Sequence, residues 1–406
     1  MSQFFDKLET RTATERAADM AKALPEQIAR AQALAGYGDS LKGVDAASIT
    51  SLEALASLPV LRKSDLGAAQ KTAAPFGGLT TLRPNEFGHV FQSPGPIYEP
   101  GGIGHDWWRA GRFLTAAGVG KGDILHNCFS YHLTPAGMMF ESGARAVGAT
   151  VLPAGVGQTE LQAQAAHDIG STAYSGTPDY LKIILDKADE MGLKLQITKA
   201  VVGGGALFPS LRQEYADRGI ACLQSYGTAD LGTIAYESAV DQGMIVDEGV
   251  IVEIVTPGTG TPVAAGEVGE VVVTTLNPDY PLIRFATGDM SAVLEGESPC
   301  GRTNMRIKGW MGRADQTTKI KGMFVRPEQV AALVAKHSEV AKARVIATRE
   351  GEMDSMTVQI EAEGGDAESY AKSVAEVLKL KGRVDVVALG SLPKDGLVIE
   401  DQRSYD

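Results

Sequence analysis

Short apolar segments alternate with amphipathic segments in the middle of the chain, between residues 105 and 225. Such alternation is typical of buried parallel strands that are each followed by a helix. It predicts an α/β fold with a doubly wound sheet, whose ligands bind beyond the carboxyl ends of the strands. The predicted helices are His105–Ala117, Thr134–Val147, Glu160–His167, Pro178–Met191 and Pro209–Arg218. The predicted strands are Ile124–Ser130, Thr150–Pro153, Thr172–Ser175, Ala200–Gly203 and Ile220–Gln224.

The pattern differs on both sides of this region. Apolar residues at helical spacing predict helices within the first 35 residues. Within 51–66 we predict a short helix, a break at a proline and the start of a second helix. The segment 75–104 is rich in Gly and Pro and lacks periodicity, so we expect a long loop there. After residue 230, alternating segments predict antiparallel strands at Met244–Val255, Glu270–Leu276 and Ser291–Leu294.

The pattern of apolar and polar residues changes again near Gly312. A hairpin is predicted at Thr317–Val325, with Gly322 at its turn, and a helix is predicted to begin around Pro327 because proline is favoured at the first helical position. Strands near 342–348, 355–361 and 383–388 and a helix at 366–380 complete a small α+β unit. We therefore predict a large body at 1–312, multi-layered α/β with a β-rich part, and a mobile C-terminal lid at 313–406.

Composition narrows the classes of function. The chain has 406 residues, with 38 Lys and Arg against 50 Asp and Glu, and so a net charge of −12. This balance argues against nucleic acid and against anionic membranes as partners, but it does not exclude a small anionic ligand. Neither a secretory signal nor an apolar run of about 20 residues is visible, and the three scattered cysteines favour neither disulfides nor a zinc site. A cytoplasmic location is predicted.

Four motifs are more specific than composition. They are Gly203-Gly204-Gly205-Ala206 after one predicted strand, Ser225–Asp230 after the next, Leu282–Asp289, and Gly312–Glu328. Taken singly, each is also typical of an ordinary turn, because Gly, Asp and Thr are frequent turn residues. Their order and spacing carry the information.

Together the motifs resemble those of the adenylate-forming ligases, the superfamily of acyl-CoA synthetases, and most closely the phenylacetate-CoA ligase branch. Ser51–Leu66 and Gly148–Glu160 are similar to segments of that branch, and the resemblance runs from about residue 50 to residue 395. It implies a reaction in which a carboxylate and ATP give an acyl-AMP and pyrophosphate, followed by thiolysis with CoA. It also implies small-molecule partners, and it makes a homodimer plausible.

The resemblance assigns roles to particular residues. Gly204, Gly205 and Ala206 would lie against one face of adenine, and Tyr226, followed by Gly227 and Thr228, would stack on the other. Asp289 would accept both ribose hydroxyls, since a carboxylate offers two acceptor oxygens. Arg313 would reach the ribose or a phosphate. The remaining assignments are Asp230 as the Mg²⁺ ligand, Asp315 as the hinge, Lys321 and Gly322 at the CoA channel, and Tyr131, His132, Pro135 and Ala136 at the acid pocket.

Three positions depart from the family pattern. The stretch that should form the Ser/Thr/Gly-rich phosphate loop, Phe91–Gly102, contains three prolines and Glu99. Asp230 replaces the usual magnesium-binding Glu, which is a tolerable change between two hard oxygen ligands. Leu397 stands where the adenylation lysine belongs, with Lys394 as the nearest substitute.

Three functions remain open at this point. The first is an AMP-forming CoA ligase that acts on an aryl or other hydrophobic carboxylate, with ATP, Mg²⁺ and CoA. The second is a degenerate homologue that binds AMP, an acyl-adenylate or an acyl-CoA without efficient activation by ATP. The third is a related adenylyl transferase with another acceptor, such as a deazaflavin cofactor.

Overall fold

The structure is a computed structural model that describes residues 3–205, 207–314, 318–321, 323–350, 353–393 and 397–403. The chain forms two compact units. The first comprises Met1–Glu253, Val272–Thr287 and Leu294–Gly309, and the second comprises Ile254–Val271, Gly288–Val293 and Trp310–Asp406. Each unit thus draws on three segments of the chain, whereas the predicted body and lid are contiguous. The division at 312/313 and the mobility of the lid stay predictions.

The helices follow the hydrophobic pattern, with recognisable start and stop signals. Thr12 and Glu15 form a capping box at the start of the first helix, Pro178 opens the seventh, and Gly148 ends the fifth with a φ of +79°. The α-helices are α1 (Ala13–Gln32), α2 (Leu52–Ala56), α3 (Leu66–Thr72), α4 (Gly111–Ala116), α5 (Ala136–Val147), α6 (Thr159–Asp168), α7 (Pro178–Glu190), α8 (Pro209–Asp217), α9 (Pro327–Ala335) and α10 (Ala367–Leu378).

The strands of the first 236 residues are β1 (Leu61–Arg62), β2 (His89–Ser93), β3 (Ile97–Gly101), β4 (Ile124–Asn127), β5 (Thr150–Pro153), β6 (Ala173–Gly176), β7 (Lys199–Val202), β8 (Ala221–Thr228) and β9 (Gly232–Tyr236). Later strands are β10 (Met244–Val246), β11 (Val250–Val255), β12 (Val268–Thr275), β13 (Phe285–Leu294), β14 (Arg306–Ile307), β15 (Thr318–Ile320), β16 (Met323–Val325), β17 (Val340–Glu350), β18 (Met353–Ala362), β19 (Arg383–Val387) and β20 (Ile399–Asp401).

A mixed sheet forms the centre of the first unit. Part of this sheet runs in the order β14-β10-β9-β8-β7-β6-β4-β5, and β4 to β8 pair in parallel, as the alternating pattern predicts. From β8 onward the pairing with β9 and β10 is antiparallel. Buried aromatic side chains, including Phe113, Phe129 and Phe140, pack together within the core of this unit. The predicted α/β fold class is confirmed.

The second unit has its own sheet and core. Strands β19-β18-β17-β20 form a four-stranded sheet, and β15 and β16 form a separate hairpin. Apolar residues of β17, β18 and α10, such as Val345, Val358 and Val374, are completely buried. In the part of the chain that the structure describes, every helix is too short or too polar to cross a bilayer.

Two predictions about local structure are wrong. The segment 75–104 is not a loop throughout, because β2 and β3 form an antiparallel hairpin within it. The helix predicted from His105 begins only at Gly111, because Asp106 and Arg109 have φ angles of +46° and +65°, which are incompatible with a continuous right-handed helix.

Candidate nucleotide and carboxylate site

The glycine motif lies in the turn after β7, at the carboxyl end of the parallel sheet. A side chain at Gly203 would place its Cβ 3.1 Å from the Oγ of Ser225, and Gly204 has a φ of +68°. The local backbone therefore favours glycine, and main chain lies exposed in this turn, where one face of adenine is predicted to bind. Gly205 completes this turn, whereas Ala206 lies outside the described residues.

The Tyr226 motif lies at the end of β8, the neighbouring strand. The Tyr226 hydroxyl donates a hydrogen bond to the Oγ1 of Thr287 at 3.1 Å, and its side chain is buried. A Cβ at Gly227 would lie 2.6 Å from the carbonyl oxygen of Gly232, so only glycine fits there. Thr228 accepts a hydrogen bond from the backbone three residues later. The motif is thus a fixed turn beside the glycine turn, and the stacking of Tyr226 on adenine stays a prediction.

Asp230, the predicted metal ligand, is paired with a lysine from a distant part of the chain. Lys63 Nζ lies 2.6 Å from Asp230 Oδ2, and the Asp230 side chain is 0% exposed whereas that of Lys63 is 28% exposed. Among the residues that the structure describes, none donates a hydrogen bond to Asp230 Oδ1. Lys63 is held here because it follows β1, which pairs in parallel with the first residues of β13. The site therefore contains a cation that the motifs do not predict.

The β2–β3 hairpin stands where the phosphate loop is expected. Glu99 on β3 links its two strands through hydrogen bonds. Glu99 is completely buried, and it accepts hydrogen bonds from the Ser93 backbone amide at 3.2 Å and from the Ser93 hydroxyl. Burial, and then the nearby Asp230 carboxylate, raise the pKa of Glu99 to about 7, although Ser93 and Lys63 act in the opposite direction. Glu99 therefore stabilises the hairpin, because each of its two carboxyl oxygens accepts a hydrogen bond from Ser93.

This raised pKa predicts a pH-dependent contribution to stability. The folded protein keeps the Glu99 proton up to about pH 7, whereas the unfolded chain loses it near pH 4.5. The stability that Glu99 contributes is thus full below pH 4.5 and is lost as the pH rises to about 7, by about 3 kcal/mol. As the pH is raised from 4.5 to 8, the free energy of unfolding of Glu99→Gln, measured with urea, should increase by about 3 kcal/mol relative to that of wild type.

The matched control is Glu26→Gln, whose parent side chain is 58% exposed. The difference in unfolding free energy between Glu26→Gln and wild type should stay constant over the same pH range. A constant difference for Glu99→Gln as well would show that Glu99 titrates normally in the folded protein.

The predicted acid-pocket residues lie together after β4, and a buried amide fixes their loop. Asn127 Nδ2 donates to the Tyr131 hydroxyl at 2.7 Å and to the Gly137 carbonyl at 2.9 Å. Its Oδ1 accepts hydrogen bonds from the Phe129 amide and the Ser175 hydroxyl. Of the four predicted residues, Tyr131 and Ala136 are half-buried, Pro135 is buried and His132 is exposed.

Replacing Asn127 by alanine should cost about 2–3 kcal/mol of unfolding free energy, because several buried groups lose their partner at once. Tyr131→Phe removes only a half-buried hydroxyl and should cost about 1 kcal/mol or less. Urea unfolding of both variants compares the two losses. Equal losses would mean that Asn127 does not anchor this loop.

The second unit contains Asp289, the residue that is predicted to bind the ribose hydroxyls. Asp289 is buried to 8% exposure on β13, and Arg313 Nη1 donates a hydrogen bond to its Oδ1 at 3.1 Å. The backbone of Ala314 donates to the Gly288 carbonyl at 2.7 Å, so the Arg313 segment runs antiparallel beside Asp289. The structure thus brings these two predicted residues together.

Of the remaining predicted residues, Lys321 is exposed at the turn between β15 and β16, with a φ of +47°. Its backbone amide donates a hydrogen bond to Asp354 Oδ2 at 3.1 Å, and this bond is the first cause that lowers the pKa of Asp354. Asp315, Gly322 and Lys394 lie outside the described residues. Their roles as hinge, channel and adenylation residue stay predictions.

Comparison with known proteins places this geometry in a family. Residues 110–277 match the family described as AMP-binding enzyme. The chain is 30% identical over 336 residues to the phenylacetate-coenzyme A ligase of Thermus thermophilus, which covers 79% of this chain and 74% of that protein. It is 31% identical to the enzyme of the same description from Aromatoleum evansii, with 79% and 75% covered. The chain belongs to the phenylacetate-CoA ligase branch of the adenylate-forming superfamily.

Solved structures extend the likeness in fold to nearly the whole chain. A structure of 2-hydroxyisobutyryl-CoA ligase in complex with R3-HIB-AMP aligns with a TM-score of 0.74 at 23% identity, over 99% of this chain and 93% of that chain. An open conformation of that ligase, in complex with 2-HIB-AMP and CoA, aligns with the same score over 97% and 92%. The predicted membership of the phenylacetate-CoA ligase branch is therefore confirmed by the sequence relatives, and the predicted fold is confirmed by these structures.

In this member of the phenylacetate-CoA ligase branch, sequence reasoning missed Lys63 and Asn127 in the first unit and Trp310 in the second unit. Lys63 lies inside the segment 51–66 that carries the resemblance, but nothing in that segment indicates its partner. Asn127 could have been noticed as a polar residue within a predicted apolar strand. Trp310, which is described below, stands just before the Gly312 motif, and nothing in the sequence marks it out.

Proposed function

We propose that the protein is an AMP-forming CoA ligase that activates an aryl or other hydrophobic carboxylate. The observation that carries this proposal is the ordered pair Asp289–Arg313, in a chain about 30% identical to phenylacetate-CoA ligases over most of its length. An oriented, mostly buried carboxylate is well suited to bind the two neighbouring hydroxyls of a ribose. ATP and CoA are the corresponding co-substrates.

The proposed reaction has two steps, and neither needs a nucleophile from the protein. In the first, a carboxylate oxygen of the substrate attacks the α-phosphorus of ATP, and the bond to pyrophosphate breaks. In the second, the sulfur of CoA attacks the acyl carbon, and the bond to AMP breaks while the thiol proton is released. The chain contributes alignment of the reactants and electrostatic stabilisation.

Residues of the first unit support the choice of a hydrophobic acid. Tyr131 and Ala136 are half-buried at this loop, and burial raises the pKa of Tyr131, so that its hydroxyl stays neutral. His132 is exposed at the same loop. If the acid binds at this loop, as predicted, these side chains favour an aryl or branched aliphatic group over a second charge.

The proposal includes a divalent cation, and Asp230 fits it as a ligand. Its Oδ1 is a buried hard oxygen without a hydrogen-bond donor among the described residues, which is the kind of donor that Mg²⁺ takes, together with phosphates and water. Glu99 fits less well, because both of its oxygens already accept a hydrogen bond from Ser93 and its raised pKa favours the protonated, uncharged form. A bound Mg²⁺ would neutralise phosphate charge, while Lys63 holds the other Asp230 oxygen.

The β2–β3 hairpin favours a second candidate function. It presents a proline-containing turn and a buried carboxyl where relatives are expected to cradle the β- and γ-phosphates. On that basis the protein would bind AMP, an acyl-adenylate or an acyl-CoA without efficient activation by ATP. The likeness to named ligases supports the first function over this one.

The test is product analysis with a panel of aryl, branched and linear carboxylates in the presence of ATP, MgCl₂ and CoA. We expect mass spectrometry to detect a CoA thioester and AMP in equal amounts with at least one hydrophobic acid. AMP binding without any thioester would favour the second function. AMP transfer to a deazaflavin acceptor, tested in parallel, would favour the adenylyl transferase. Size-exclusion chromatography with light scattering tests the proposed homodimer.

A further inference from the structure

A tryptophan of the second unit is tied to the predicted ribose ligand. Trp310 Nε1 donates a hydrogen bond to Asp289 Oδ1 at 3.1 Å, the same oxygen that accepts from Arg313 at 3.1 Å. Antiparallel backbone hydrogen bonds fix the segment, since Met311 donates to the carbonyl of Met290 and Met290 donates to that of Gly312. The indole is therefore held at a defined place beside the carboxylate.

The same indole is not used to fill a core. Trp310 is 52% exposed, whereas Asp289 is only 8% exposed. Leaving a large apolar ring in water forgoes the stabilisation that burial would give. An exposed ring whose N–H edge is tied to a ligand-binding carboxylate offers an apolar surface of fixed orientation to whatever that carboxylate binds.

Two donors on a single carboxylate oxygen also restrict the rotation of the carboxylate. The ribose hydroxyls must meet a carboxylate plane in a narrow range of orientations, and a freely rotating Asp289 would lose entropy on binding. Arg313 supplies one hydrogen bond to this oxygen, from a side chain that is 49% exposed. The Trp310 N–H donates a second hydrogen bond to this oxygen, from a residue three positions before Arg313.

We propose that Trp310 is a positioning residue for the nucleotide: its indole N–H orients the Asp289 carboxylate, and its exposed ring packs against the bound ribose. This rests on the proposed function, because it needs a nucleotide at Asp289. Trp310→Phe keeps a ring and removes the N–H, whereas Trp310→Leu removes both the N–H and the aromatic surface. Because the residue is on the surface, both variants should fold.

The test combines AMP binding by calorimetry, tryptophan fluorescence and steady-state kinetics. We expect Trp310→Phe to weaken AMP binding and raise KM for ATP by about three- to tenfold, and Trp310→Leu by about ten- to thirtyfold, with kcat and KM for the carboxylate within about twofold. Wild type should change its fluorescence on AMP binding. Trp310→Phe should lose that change, whereas Trp107→Phe, which alters a tryptophan of the first unit, should keep it.

The outcomes separate this inference from the proposed function. If Trp310→Phe and Trp310→Leu bind AMP as tightly as wild type while Asp289→Ala does not, the Trp310 proposal is wrong and the nucleotide site stands. If both variants only lower Tm and leave KM for ATP unchanged, the role is structural and the proposal is again wrong. If wild type binds neither AMP nor ATP, the proposed function falls, and the role of Trp310 falls with it.

Discussion

Replacing Asp289 by alanine is expected to weaken the binding of AMP and ATP by about a hundredfold. In the proposed complex, the carboxylate accepts hydrogen bonds from two ribose hydroxyls. Hydrogen bonds to a charged group are worth about 1.5–3 kcal/mol each, and a net loss of about 3 kcal/mol corresponds to two powers of ten in affinity. Isothermal titration calorimetry with AMP measures this directly, without the need to know the carboxylate.

The fold should survive this substitution. Arg313, which would lose its hydrogen bond to Asp289, is 49% exposed, so water can solvate the guanidinium. Asp39→Asn is a matched control, because its parent side chain is 97% exposed and it should bind AMP like wild type. Binding by Asp289→Ala within about threefold of wild type would mean that this carboxylate does not hold the ribose.

Replacing Lys63 by methionine is expected to destabilise the protein by about 2–3 kcal/mol, because it leaves the Asp230 carboxylate buried without its cation. The expected loss is smaller than for a fully buried pair, since the Lys63 side chain is 28% exposed. Urea unfolding at pH 7 provides the measurement. The variant should unfold at a lower urea concentration with an unchanged dependence on urea.

A double-mutant cycle identifies the cause. Lys63→Met combined with Asp230→Asn removes the stranded charge, so the double variant should recover at least about 1 kcal/mol relative to Lys63→Met alone. If the losses of the two single variants simply add, the 2.6 Å contact contributes nothing to stability, and Asp230 must be stabilised in another way.

The parallel part of the fold could be predicted because strands β4 to β8 are short, mostly apolar runs that alternate with helices. The β2–β3 hairpin could not be predicted, because its Pro and Gly residues obscure the alternation of a strand. The helix at His105 failed for another local reason, the positive φ angles of Asp106 and Arg109. A single sequence does not show such backbone angles when non-glycine residues adopt them.

The candidate site was predictable where residues are close in sequence and form a motif, as in Gly203–Gly205 and Tyr226–Thr228. It was not predictable where the contact is made by tertiary structure. Lys63 and Asp230 are 167 positions apart, and only the pairing of β1 with β13 fixes the lysine. Trp310 is 21 positions from Asp289 and reaches it across an antiparallel bridge that the pattern does not show.

Carboxylate-dependent exchange of labelled pyrophosphate into ATP, measured without CoA, tests the proposed ligase activity most directly. This exchange reports only the first step, the attack of the carboxylate on ATP. That is the step that the β2–β3 hairpin would impair, because it stands where the β- and γ-phosphates are expected to bind. Our proposal predicts exchange that requires a hydrophobic carboxylate and Mg²⁺ and that is strongly reduced in Asp289→Ala. Absence of exchange with every acid of the panel, in a protein that still binds AMP or an acyl-CoA, would contradict it.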